Sequence, residues 1–118
     1  MAMDDRLSRL RSALGQFVEE RAWDQFHNPK NLAMALAAEA GELLELFQWL
    51  SEVEADSLAS DQRREVAMEM ADILMFLLQL ADRLQVDLLE AAEDKLELNR
   101  KKYPVEQARG KAMKYHKL

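Results

Sequence analysis

Two pairs of acidic residues stand where a helical sequence should carry carbon. Leu32, Leu36, Glu39, Leu43, Leu46 and Leu50 step by four and three, so Glu39 occupies a place in a leucine stripe. Glu42 follows three residues later and is its neighbour on the same helix. Asp72 lies in MADILMFLLQLA, a run otherwise almost wholly apolar, and Glu69 precedes it by three. If the helices bearing these two E-x-x-[ED] pairs pack antiparallel, four carboxylates share one site. Burying an unpaired carboxylate is costly, and like charges raise one another's pKa, so the cluster calls for protons, basic partners or metal ions. Oxygen-only ligands suit hard Mg²⁺, with Mn²⁺ as a substitute. The plainer alternative is that these acids sit on helix rims, solvated or paired with arginine. Glu45 and Glu65 are less embedded and read as supporting or surface residues.

A second set of residues has chemistry suited to a nucleotide-like ligand. Lys95 and Asn99 stand four apart on a partly apolar helix, with Tyr103 shortly after, and an ammonium with an amide suits phosphate oxygens. Trp23, Phe26, His27, Phe47 and Trp49 gather around the middle of the chain; they can fill a core or stack on a base. Gly41, inside a helix, costs ~1 kcal/mol relative to Ala, which points to a close approach by another helix or a ligand.

Four long helices must position these groups. The first is expected over about 4–21, from the spacing of Leu7, Leu10, Leu14, Phe17 and Val18, with Asp4 and Asp5 at its positive end. Asn28 followed by Pro29 reads as an N-cap and first helical position, opening a second helix that runs to about Leu50. The stretch 51–60 has no apolar stripe and reads as a loop. Ser60 or Asp61 then caps a third helix with the inward stripe Val66, Met70, Ile73, Leu77, Leu80 and Leu84. Asp87 with Glu90 resembles a capping box for a fourth helix reaching about Lys101, and Tyr103-Pro104 closes it. The expectation is an all-α four-helix bundle with antiparallel core helices, in one domain spanning 1–118 with a basic tail over 105–118.

Composition supports this class and removes others. The chain has 118 residues, 32% of them charged, with three Gly and two Pro, which is a helix-rich profile. With no cysteine, a disulfide framework, a thiolate metal site and a Cys nucleophile are all excluded, and a reducing cytoplasm fits. The net charge of -6 argues against a binder of nucleic-acid polymers. The longest apolar run, Ile73 to Leu78, falls far short of the ~20 residues a membrane span needs, and MAMDDRLSRLRS lacks the apolar segment of a leader.

Taken in order, RAWDQFHNPKNLAMAL, AAEAGELLELFQW, EVAMEMADILMFLLQLADRLQVDL, KLELNRKKYP and the terminal KYHKL resemble the MazG-like all-α nucleoside triphosphate pyrophosphatases, and within them the dCTP pyrophosphatase branch. The resemblance runs from about Arg21 to Leu118. It implies a homo-oligomer, a tetramer or dimer, that hydrolyses a nucleoside triphosphate to monophosphate and diphosphate with Mg²⁺. Glu39, Glu42, Glu69 and Asp72 match the family's metal-binding and catalytic carboxylates. Lys95 and Asn99, with Tyr103 close by, match phosphate-associated positions, and Trp23, His27 and Trp49 match aromatics of the nucleoside pocket. Leu14 and Phe76 depart from the His and Tyr that dCTP-preferring members can carry, which implies different hydrogen bonding to the base. Two other classes compete on residue types alone. One is a non-catalytic helical oligomeric interaction module. The other, a ferritin-like di-iron protein, needs Glu-x-x-His on core helices, and the chain's histidines, His27 and His116, lie outside them.

Overall fold

The chain folds into helices: α1 (Ala2–Glu20), α2 (Pro29–Phe47), α3 (Glu52–Ala55), α4 (Ser60–Leu84), α5 (Leu88–Lys102) and α6 (Val105–Ala108), with 3₁₀ turns at Asp24–Phe26 and Tyr115–Lys117. This computed structural model describes residues 2–118, with side chains from residue 6 onward. The side chains of Asp4 and Asp5 therefore lie outside the described residues. No strand occurs among the described residues, so the all-α class stands as expected. No helix among them is long and apolar enough to cross a membrane. The chain divides into two compact units, Met1–Gln85 and Val86–Leu118.

In the first unit α2 begins as its residue types demand. The Asn28 side chain accepts from the Asn31 N–H at 2.9 Å, and Pro29 fills the first helical position, where no N–H is missed. The helix ends three residues before the expected Leu50. Ser51 competes for the chain there: its hydroxyl accepts from the Glu54 N–H while the Glu54 carboxylate accepts from the Ser51 N–H, a capping box that starts α3 inside the expected loop. These bonds also pull the Glu54 pKa down, the backbone N–H of Ser51 contributing most. At α4 neither Ser60 nor Asp61 is the cap. The backbone caps at Ala59, and the Gln62 side chain accepts from the Ala59 N–H at 3.0 Å.

The end of α1 has a motif that the sequence conceals. The Ala22 N–H bonds to the Glu19 carbonyl and the Trp23 N–H to the Val18 carbonyl, both at 3.0 Å, with Ala22 at φ 55°. This is a Schellman ending carrying Ala where Gly is usual. It turns the chain so that Trp23 comes back against Phe17, edge to face with ring centroids 5.7 Å apart. Ala22→Gly is expected to relieve the left-handed strain and raise stability by ~1 kcal/mol, read as a higher urea midpoint with an unchanged m value.

Helices α1, α2 and α4 meet over Val18, Leu32, Leu78 and Ala81, the buried apolar residues among those described. Leu32 shares a cavity wall with Gln79 and Asp82, whereas Glu39, seven residues further along α2, meets Glu69 and Asp72. Rising numbers on α2 therefore face falling numbers on α4, and the two helices are antiparallel. The leucine stripe of α2 faces inward throughout, Glu39 included. The stripe of α4 needs correcting, because Met70 and Leu84 are exposed and Glu69 takes the inward place beside Val66 and Ile73. Gly41 also departs from expectation: a Cβ there would meet nothing within 4 Å, so no close approach within the chain requires it.

In the second unit, Asp87 accepts from the Glu90 N–H at 3.1 Å and caps α5 as expected, but the Glu90 side chain does not return the bond that would complete a capping box. The basic tail folds back on the end of α5. Tyr115 packs edge to face on Tyr103, with centroids 6.3 Å apart, and the Lys102 ammonium lies 5.0 Å from the Tyr115 ring centre.

Candidate metal centre and adjoining cavity

Antiparallel packing of α2 on α4 puts the two misplaced carboxylates of the first unit face to face. Glu39, Glu69 and Asp72 each offer one oxygen, and the three oxygens lie within 4.8 Å of one another. All three residues are half-buried. Glu39 Oε2 and Glu69 Oε2 are each buried without a hydrogen-bond partner. Such lone pairs are expensive to leave unfilled, and a divalent cation is the ligand that would fill them on oxygens alone. The donor set therefore fits a hard divalent cation.

The Glu39 pKa is pushed up to about 7, first by the Glu69 carboxyl, placed to accept the Glu39 proton when one is bound, then by burial, then by Glu42 and the charge of Asp72. Crowded carboxylates cannot all ionise cheaply, so Glu39 keeps a proton near neutrality when nothing positive is near. Glu42 lies one turn on from Glu39 but is exposed and outside the three-oxygen group. Glu45 and Glu65 are exposed as well.

Asp72 also belongs to the wall of a cavity of about 450 Å³, a volume that accepts a small organic ligand. Apart from Asp72, His27 and Gln79, the wall is apolar and includes Phe17, Trp23 and Phe76. His27 stands beside Trp23, ring centroids 6.5 Å apart, and its Nδ1 is buried with no partner. Two expected aromatics, Trp23 and His27, thus come to one cavity. Trp49 does not join them in this chain: it is 86% exposed and outside the cavity wall. Leu14 and Phe76, the two departures, do line it.

Lys95, Asn99 and Tyr103 belong to the second unit. Lys95 is exposed and Asn99 half-buried one turn later on α5; the Tyr103 N–H bonds to the Asn99 carbonyl at 2.9 Å and ends the helix.

Residue-type reasoning passed over Phe17 and Gln79 as site residues. Gln79 had a legible signal, since Asp72, Phe76 and Gln79 follow the four-three step along one face of α4. Phe17 had none, because only the turn at Ala22 brings α1 back over Trp23.

Both the sequence and the fold have known relatives. The chain is 44% identical over 111 residues to dCTP pyrophosphatase 1 of Mus musculus, a match covering 92% of this chain and 65% of that protein. It is 41% identical over 114 residues to dCTP pyrophosphatase 1 of Homo sapiens, covering 95% and 67%. The chain thus spans about 65% of the length of the mouse relative. A crystal structure of a pyrophosphatase from Archaeoglobus fulgidus superposes with a TM-score of 0.80 at 39% identity, covering 84% of this chain and 93% of that one. The model of the MazG-like family matches residues 34–118, the stretch that holds all four acidic residues, and the chain belongs to that family.

Proposed function

We propose that the chain is a nucleoside triphosphate pyrophosphohydrolase, converting a deoxynucleoside triphosphate of the dCTP type and water to the monophosphate and diphosphate, with Mg²⁺ as its cation. The observation that carries this reading is the junction at Asp72. One side chain belongs both to a cluster of three carboxylates with unfilled buried oxygens and to a 450 Å³ cavity with aromatic walls. A phosphate end and a base end thereby adjoin.

Glu39, Glu69 and Asp72 would hold the cation, with Glu42 at the rim. When bound, Mg²⁺ would neutralise the triphosphate and lower the pKa of a water. The chain's own residues do the rest. Glu39 gives up its proton as positive charge arrives, because the crowding that held that proton is relieved. Glu42, exposed and least engaged with the cluster, takes a proton from the water that attacks phosphorus as the bond to the diphosphate oxygen breaks. Phe17, Trp23 and Phe76 hold the base and exclude water from that end. On the family resemblance, Lys95 and Asn99 bind phosphate oxygens.

We include a homo-oligomer in this reading. Leu44, Trp49 and Val53 leave large apolar surface uncovered around the end of α2 and α3, with Val53 77% exposed. Large apolar side chains left exposed in this way suit burial against a second copy of the chain.

The test is diphosphate release from a panel of canonical and base-modified triphosphates, with Mg²⁺ and with chelator. Mg²⁺-dependent release from dCTP or a modified dCTP is expected; no release from any triphosphate would overturn the reading.

A further inference from the structure

The base end of the cavity carries two hydrogen-bonding groups that the proposed hydrolysis leaves unused. Gln79 lies seven residues after Asp72 on the same face of α4, two turns or about 10 Å along the axis. The carboxylate and the amide therefore mark opposite ends of the site. The Gln79 Nε2 donates to the Met75 carbonyl at 3.4 Å. This bond sets the amide: turned over, it would press Oε1 against that carbonyl, acceptor on acceptor. Oε1 is thus the end left to accept from a ligand. Across the same wall, the buried and unpartnered His27 Nδ1 waits for a polar atom. The rest of this wall is largely carbon, apart from the Trp23 indole, although Gln79 and His27 also line a neighbouring cavity with Arg11, Asp24, Asp82 and Arg83.

The geometry points to Gln79 as the specificity-determining residue for the nucleobase, its Oε1 accepting a hydrogen from the exocyclic amino group of an amino-bearing base. The inference rests on the nucleotide reading above. A keto base such as uracil or thymine would turn a carbonyl oxygen toward Oε1 and set acceptor against acceptor. Rejection of this sort is far stronger than discrimination by size. His27 Nδ1 serves the same base edge. Leu14 and Phe76 contribute only carbon to this wall, and Gln79 brings its amide oxygen.

The experiment compares kcat/KM for dCTP, dUTP and the 4-deamino analogue of dCTP, in the wild-type protein and in Gln79→Met, which keeps length and helix propensity but removes the acceptor. Wild type is expected to prefer dCTP over both others. Gln79→Met should shrink the dCTP preference by roughly 10- to 100-fold, chiefly through KM, and respond equally to dCTP and the deamino analogue. Gln79→Glu, which keeps an acceptor, should retain the direction of the preference. Should Gln79→Met lose its helical circular dichroism, the wild-type arm decides alone, because equal kcat/KM for dCTP and its deamino analogue overturns the inference. A ratio unmoved in folded Gln79→Met overturns it too. Failure to release diphosphate from every triphosphate instead overturns the hydrolase reading, and this inference with it.

Discussion

Asp72→Asn is expected to lower diphosphate release by on the order of 10²- to 10³-fold, and Glu39→Gln by as much, with both variants still folded. Each change removes one anionic oxygen from a group of three that lie within 4.8 Å, while leaving a side chain of the same shape. A cation that neutralises a triphosphate contributes several kcal/mol to the transition state, and a two-ligand site would hold it poorly. The two variants should differ in stability. Removing the Glu39 charge ends its conflict with Glu69, Glu42 and Asp72, so metal-free Glu39→Gln should melt above metal-free wild type at pH 8. Calorimetric scans beside the activity assay read both effects. Full activity in either variant would remove these carboxylates from the reaction.

The second large effect is on pH. The Glu39 carboxyl keeps its proton up to about pH 7 in the folded chain, against an ordinary glutamate value of 4.5. Between those values the folded state binds a proton that the unfolded state has released. The stabilisation is thus fully present below about pH 4.5 and is lost as pH rises through about 7. Metal-free protein should accordingly melt lower at pH 8 than at pH 5.5, apart from what other groups contribute, and Glu39→Gln should flatten that slope. A cation must displace the same proton. Apparent Mg²⁺ affinity should rise by up to about tenfold per pH unit below 7 and level off above it. Calorimetric titration in buffers of different ionisation enthalpy would count the proton released. No proton release and no pH dependence would mean that Glu39 is already ionised in the metal-free site.

Much of the fold was legible because local rules had no competitor. Asn28-Pro29 and Asp87 start helices wherever they occur before an apolar period, and both do so here. Legibility failed where a neighbour competed or a rule was broken. Ser51 and Glu54 captured the end of α2 for a helix of their own. Ala59 carries no capping side chain and borrows one from Gln62. Ala22 adopts a conformation that glycine normally signals. In the stripe of α4, the period puts Met70 inward, yet Met70 is exposed and the inner place goes to Glu69, already a candidate for the shared site, because a hydrophobic period counts only apolar residues.

The sequence by itself determined that Glu39 and Asp72 are charges in apolar company, and that the chain is helical, because periodicity and composition are properties of neighbours along the chain. Only the tertiary structure decided which acids meet. Antiparallel packing brings Glu39, Glu69 and Asp72 together and leaves Glu42 at the rim. The same packing, with the turn at Ala22, makes a cavity from Phe17, Trp23 and His27 against the Phe76–Gln79 face of α4, and no spacing rule relates the first three to that face. Distances between residues far apart in sequence depend on how faces pack, and packing is decided by all the faces together.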